Sequence, residues 1–289
     1  MAAVVGSYDS GLSLIKRNFK NKAVSGCFSA YFQDLFVKMQ RFSKALQGAA
    51  ILSQQNPVAG IQKKIAIQEQ GSRIVKEGIR KRFPSLKICD CIHASVEQRS
   101  FLQQASLEQV QQIYPDPSQP ITIVSVGCGG CLGEVEFLLR LKAVGYEKVT
   151  IVLVDPSEKT AEALPDLQIV GEDQKTSIIY FKSLGDYATA VEENPQYRAN
   201  LLFLVDLQSL TSKGNDYDPQ GTEENLTQHS FHFLRDKGFL PENTIISFTE
   251  ENTAVSGIFT NNAWALNQLA DPLDWYTQIH AAQYKPLLI

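Results

Sequence analysis

The chain has 289 residues, 44% of them hydrophobic and 20% charged, with a formal net charge of −4. That composition supplies a sizeable core and excludes a disordered chain. The near-neutral balance disfavours a broadly cationic nucleic-acid binder. The charge is unevenly spread, however: residues 1–118 hold 16 basic and 8 acidic side chains, and residues 119–289 hold 11 and 23. The balance changes from +8 to −12 across that point, which marks two differently used regions. Five cysteines are present, Cys27, Cys89, Cys91, Cys128 and Cys131, and their odd count and uneven spacing argue against a secreted disulfide framework. The start of the chain shows no basic stretch followed by an apolar core, and no run approaches about 18 apolar residues. A soluble cytoplasmic protein without a membrane span is expected, with export by a signal-less route left open.

The first 118 residues read as helical. Phe28, Phe32, Leu35, Met39, Phe42 and Leu46 recur at steps of three and four and fall on one helix face. Asn56, Pro57 and Gly60 punctuate the chain, and a second helix is expected from about Ile61 to Arg82, weakened by Gly71 and Gly78 and ended by Pro84. Ser95-Val-Glu-Gln98 and Ser106-Leu-Glu-Gln109 both fit a capping box and predict two short helices. Tyr114-Pro-Asp-Pro-Ser-Gln-Pro120 reads as a linker, so a helical module over 1–118 is separated from a domain over 119–289.

The pattern then changes. Ile121–Val126, Val149–Val154, Ser177–Phe181, Asn200–Val205 and Thr244–Phe248 are short, apolar and rich in β-branched residues, as strands buried on both faces must be. Helical or polar stretches separate them, the first a helix from Gly133 to Val144. The alternation predicts an α/β domain, a mostly parallel sheet with helices on both faces. The last residues, Tyr284–Ile289, read as a further edge strand, Pro286 being tolerated only at an edge.

The informative segment is Val124-Ser-Val-Gly-Cys-Gly-Gly-Cys-Leu-Gly-Glu134, between the first strand and the first helix of the domain. Its glycines let the backbone turn sharply and approach a ligand. Ligands of open α/β sheets bind outside the carboxyl ends of the strands. Asp155 ends the second strand, where a carboxylate can accept both hydroxyls of a ribose. A dinucleotide fingerprint needs its third glycine at 132, which is Leu132; the glycine falls at Gly133 instead.

Over roughly Ile121 to Phe248 the sequence resembles the class I S-adenosylmethionine-dependent methyltransferases. Val126-Gly-Cys-Gly-Gly is similar to that family's first motif, and Leu153-Val-Asp-Pro-Ser157 to its ribose-holding strand end. The resemblance implies a Rossmann-like doubly wound sheet and S-adenosylmethionine as cofactor. Ser125, Gly127, Cys128 and Gly129 would line the methionine and ribose part, Asp155 would bind the ribose, Pro156 and Ser157 would flank the adenine, and Asp186 would lie near its amino group. Asp206, at the end of the fourth strand, would line the transfer site, and Lys237-Gly-Phe-Leu-Pro241 resembles the usual turn before the fifth strand. Ser125 stands where the family usually has an acid, Cys131 replaces a glycine, and no Asn-Pro-Pro-Tyr stretch follows the fourth strand.

Methyl transfer to a protonated nucleophile benefits from a base. Asp206 is the first candidate by position; His229 and His232, three apart on an expected helix, are the others. The acceptor is expected to be a small molecule or a protein, with nucleic acid disfavoured and a homodimer open. Two other readings share the fold: a catalytically degenerate binding or regulatory protein, and a nicotinamide-dependent oxidoreductase. Cys89, Cys91 and His93 alternate as metal ligands can, but zinc sites more often use two separated Cys-x-x-Cys-type pairs, so no metal is expected. The basic excess includes Arg73, Lys76, Arg80, Lys81 and Arg82 and has two readings: a surface for an acceptor or partner, or a face lying on the acidic domain.

Overall fold

The computed structural model describes residues 34–35, 37–42, 44–46, 48–49, 52, 55–87, 96–171, 175–204, 226–250, 253–260 and 263–265. Five parallel strands form its centre: β1 (Ile121–Val126), β2 (Val149–Val154), β3 (Thr176–Phe181), β4 (Leu201–Leu204) and β5 (Thr244–Glu250). They lie in the order β3-β2-β1-β4-β5, and β6 (Thr253–Thr260) and β7 (Ala263–Ala265) continue the sheet antiparallel. The chain therefore reverses its direction of travel across the sheet between β1 and β4. The five parallel strands lie where the apolar runs predict them.

Alternate residues serve opposite faces. Ile121 and Ile123, Ile151 and Leu153, Leu201 and Phe203 join one apolar cluster. Val124 and Val126, Val152 and Val154, Leu202 and Leu204 join the other. Both faces are covered by helices, which is why the strands are dominated by apolar residues and carry little charge. The first cluster is closed by α1 (Pro57–Arg82), α2 (Val96–Ile113), α3 (Leu132–Ala143) and α4 (Glu158–Val170), the second by α5 (Leu184–Glu193) and α6 (Leu226–Asp236).

The helical residues between 34 and 49 bury Leu35, Met39, Phe42 and Leu46, the described part of the expected stripe. The next helix starts earlier than Ile61: Asn56 accepts from the Ala59 N–H and caps it, with Pro57 in the first turn. The two short helices expected after Ser95 and Ser106 are one helix, α2. Ser106 does not cap; its hydroxyl donates to the Leu102 carbonyl one turn back and meets the Ser247 hydroxyl at 2.8 Å, tying α2 to β5. Among the described residues no helix is long and apolar enough to cross a membrane. The segments holding Cys27, Cys89, Cys91 and His93, Asp206, and Tyr284–Ile289 lie outside the described residues.

Residues on both sides of position 118 share one apolar cluster, and a buried charge group crosses the same junction. Glu136 on α3 has no exposed surface. Its carboxylate meets the Arg140 guanidinium at 2.8 Å and the Lys76 ammonium of α1 at 3.3 Å. Arg140 also donates to Gln104 and Ser100 of α2 and lies 5.1 Å from the centre of the Phe42 ring. Burial alone would raise the Glu136 carboxyl; Arg140 and Lys76 outweigh it and hold the group below its ordinary range. Of the basic run on α1, Lys76 is thus buried against the acidic region, whereas Arg73, Arg80, Lys81 and Arg82 remain exposed. Gly71 lets this packing occur, since a Cβ there would fall 2.1 Å from the Phe42 ring.

A second junction lies at Lys87. Its N–H donates to the Gly130 carbonyl and its own carbonyl accepts from Leu132 N–H, an isolated parallel bridge beside the glycine loop. Ser85 anchors the segment by donating from its N–H and hydroxyl to Asp166 of α4. A Cβ on Gly130 would fall 2.4 Å from the Lys87 carbonyl oxygen.

Replacing Glu136 by Gln leaves two buried cations without their counter-charge, and chemical denaturation should show a loss of about 3–5 kcal/mol. Because the Glu136 carboxyl is held low, its contribution is present at neutral pH and disappears as pH falls through its folded value. Gly130→Ala should cost about 1–3 kcal/mol by overpacking and release Lys87 from the loop, read as faster amide exchange at Leu132.

Candidate functional site

The loop after β1 is bent by backbone that ordinary residues avoid. Gly127 and Gly129 have φ of 75° and 54°, and Cys131 adopts φ of 60° as the N-cap of α3. The Cys131 N–H returns to the Cys128 carbonyl at 3.1 Å, and Gly127 N–H donates to Val154 at the end of β2. The loop therefore sits at the carboxyl end of β1, beside the place where the strand order reverses.

Asp155 holds this loop. One carboxylate oxygen accepts from Gly129 N–H at 2.6 Å and the other from Ser157 N–H at 2.7 Å. The residue is 5% exposed. Thr160 donates to the Gly129 carbonyl at 2.6 Å, and the Tyr180 hydroxyl donates to the Asp155 carbonyl. Ser157 caps α4, accepting from Lys159 N–H, while Pro156 is exposed. A carboxylate has about four acceptor positions, so two bonds leave roughly half its capacity for a further donor.

Ser125 is fully buried on the face toward α3, and its hydroxyl donates to Glu134 at 2.8 Å. Burial pushes the Glu134 carboxyl up to about 7, against the Ser125 bond and the attraction of Arg99; nearby Asp155 adds to the rise. Its deprotonation therefore costs folding stability as pH rises through about 7. Glu134 keeps partial exposure and is more accessible than Asp155. The expected site residues did not include it. The available signal was its position, the third residue of a helix that opens directly from a glycine loop. Gln103 of α2 reaches the same helix start, donating to the Gly133 carbonyl at 2.9 Å.

Cys128 and Cys131 are both buried and free. Burial lifts the Cys128 thiol well above its usual range. A hydrogen bond from Cys128 pulls the Cys131 thiol down, but burial and the Glu134 and Asp155 carboxylates raise it overall. Neither is a thiolate at neutral pH, so they are packing residues of the loop and not nucleophiles.

The structure thus gathers Ser125, Gly127, Cys128, Gly129, Asp155 and Ser157 at the carboxyl ends of β1 and β2. Asp186 stands apart, exposed, where Ser183 donates to its carboxylate and accepts from its N–H, closing the first turn of α5. His232 is exposed on α6, its ring 5.6 Å from that of Phe231. His229 falls on the same helix, its side chain outside those described.

No family model and no curated protein matches this sequence. The solved structures it is similar to include two methyltransferases. One is a methyltransferase of Podospora anserina with S-adenosylhomocysteine bound, 16% identical, with a TM-score of 0.35 over 60% of this chain. This chain spans 58% of that protein's length. The other is a protein of Listeria monocytogenes described as a class I S-adenosylmethionine-dependent methyltransferase, 12% identical, with a TM-score of 0.38 over 76% of this chain and 73% of the other.

Proposed function

We propose that the chain binds S-adenosylmethionine at the carboxyl end of β1 and β2 and acts as a methyltransferase. The observation that carries the reading is the way the start of α3 is filled. A phosphate-bearing dinucleotide needs free N–H groups and a positive helix end beside its glycine loop. Here Leu132 N–H is already bound by the Lys87 carbonyl. Glu134 stands in the first turn, and its carboxylate accepts a hydrogen bond from its own N–H. That helix start opposes an anion and suits a ligand without phosphate. A nucleoside carrying a cationic tail has the matching chemistry, which favours an adenosyl sulfonium over a nicotinamide dinucleotide.

In this reading the residues have separate tasks. Asp155 fixes Gly129 and Ser157 and offers its remaining acceptor positions to ribose hydroxyls. Gly127 and Gly129 let the backbone turn without side chains in the ligand's path. When bound, the cofactor supplies an activated methyl group on sulfur, so the protein's part is alignment and exclusion of water. The acceptor side falls to the end of β4, which pairs with β1 across the reversal of strand order; Asp206 follows it and is the candidate base.

Calorimetry on the purified full chain should show S-adenosylhomocysteine binding in the micromolar range and no binding of a nicotinamide dinucleotide. Asp155→Asn should weaken the adenosyl ligand by about ten- to a hundredfold, the cost of about 1.5–3 kcal/mol for charge-assisted hydrogen bonds. Absence of adenosyl binding at sub-millimolar concentration, or tighter binding of the dinucleotide, would overturn the reading.

A further inference from the structure

Gly129 is held at both of its backbone groups by side chains from the β2–α4 connection. Its N–H donates to the Asp155 carboxylate at the end of β2, and its carbonyl accepts from the Thr160 hydroxyl in the first turn of α4, each at 2.6 Å. The Cys131 thiol reaches the same carbonyl at 3.5 Å, but a thiol is a weak donor, so the hydroxyl carries the bond. Thr160 has no exposed surface, and the Cys128 sulfur lies 3.9 Å from its hydroxyl. A threonine in a helix commonly turns its hydroxyl onto its own helix. Here the hydroxyl proton leaves α4 for the loop, while the Thr160 N–H bonds to the Ser157 carbonyl inside the first turn. Ser157 caps α4 and donates its N–H to the other oxygen of Asp155. The position needs this grip. Gly129 has a φ of 54° and is followed by Gly130, and two glycines in succession have no side chains to restrict their backbone.

We propose that Thr160 is a positioning residue of the adenosyl site: by fixing the Gly129 carbonyl it keeps the Gly129 N–H on Asp155, so that the free acceptor positions of that carboxylate stay aimed at the ribose. This rests on the reading above and deepens it, by naming a residue that sets the affinity of the site without reaching the ligand. Burial places Thr160 behind the loop, so it acts only through Gly129 and Asp155. The two bonds fix the peptide groups on either side of the Gly129 Cα. With the hydroxyl removed, the peptide beyond Gly129 regains the freedom of a glycine pair, and Asp155 holds the loop from one side alone. The ligand must then order the loop as it binds, and that ordering is subtracted from its affinity.

The test is calorimetry with S-adenosylhomocysteine on two variants of the full chain. Thr160→Val keeps the volume and removes the hydroxyl; Thr160→Ser keeps the hydroxyl and removes a buried methyl. Thr160→Val should weaken binding by about five- to tenfold, the effect of one lost hydrogen bond and of a loop that the ligand must order. Thr160→Ser should bind within about twofold of the wild type, although its missing methyl leaves a cavity and lowers its denaturation midpoint. Affinity that follows the hydroxyl and not the midpoint separates positioning from a purely structural role. In the wild-type chain the Gly129 amide should already exchange slowly without ligand and change little on binding. Unchanged affinity in Thr160→Val, equal losses in the two variants, or a Gly129 amide protected only by ligand would overturn the inference while leaving adenosyl binding intact. Failure of the wild-type chain to bind would overturn the functional reading and the inference together. The exchange measurement stands even where Thr160→Val does not fold.

Discussion

The carboxylate of Glu136 is the point at which the helical N-terminal region and the sheet region share a buried charge, within an apolar cluster common to both. It has no exposed surface and is compatible with the core only because Arg140 and Lys76 both reach it. Those two cations are buried in turn, so none of the three charges is tolerable without the others. The demand propagates outward. Arg140 needs Ser100, Gln104 and the Phe42 ring, which fixes α2 and the helical residues between 34 and 49. Phe42 needs the missing side chain of Gly71, which fixes the crossing with α1. The positions of four helical segments follow from satisfying one anion.

The same arrangement sets the character of the glycine loop. With α1 in place, the segment after it arrives at Gly130, and Lys87 occupies space and hydrogen-bonding groups that a phosphate would use in a dinucleotide site. With α2 in place, Arg99 and Gln103 face the start of α3. The N-terminal helices thus form one wall of the candidate site. The shift of a glycine from position 132 to Gly133 has its structural counterpart here, a loop closed by the chain's own backbone.

Much of the sheet was legible because burial on both faces leaves unbroken β-branched runs, as in Val149–Val154. The antiparallel end was not legible. β5 and β6 pair through Glu250 and Thr253, and the two residues between them, Glu251 and Asn252, lack the glycine that announces a tight hairpin. Ser106 misled because a serine followed three residues later by Gln109 satisfies the capping pattern equally well inside a helix, where its hydroxyl bonds one turn back. The place of Asp155 at a strand end was readable, but not the two backbone N–H groups that it holds. Glu134 was not, because its significance comes from Ser125 and Arg99 and from burial, none of which a spacing rule contains. The basic run on α1 divided for a similar reason: Lys76 meets the buried Glu136, whereas Arg73, Arg80, Lys81 and Arg82 stay exposed.

The buried charge group also constrains the order in which the chain becomes structured as it is made. Lys76 is synthesised 60 residues before Glu136, and Lys87 precedes Gly130 by 43. Until α3 has left the ribosome, Lys76 lacks the carboxylate that it meets in the finished fold. The partner of that lysine reaches the N-terminal helices only when the first helix of the sheet region is made. The buried charge group and the Lys87 bridge at the glycine loop therefore both close only once residues 130–140 are present.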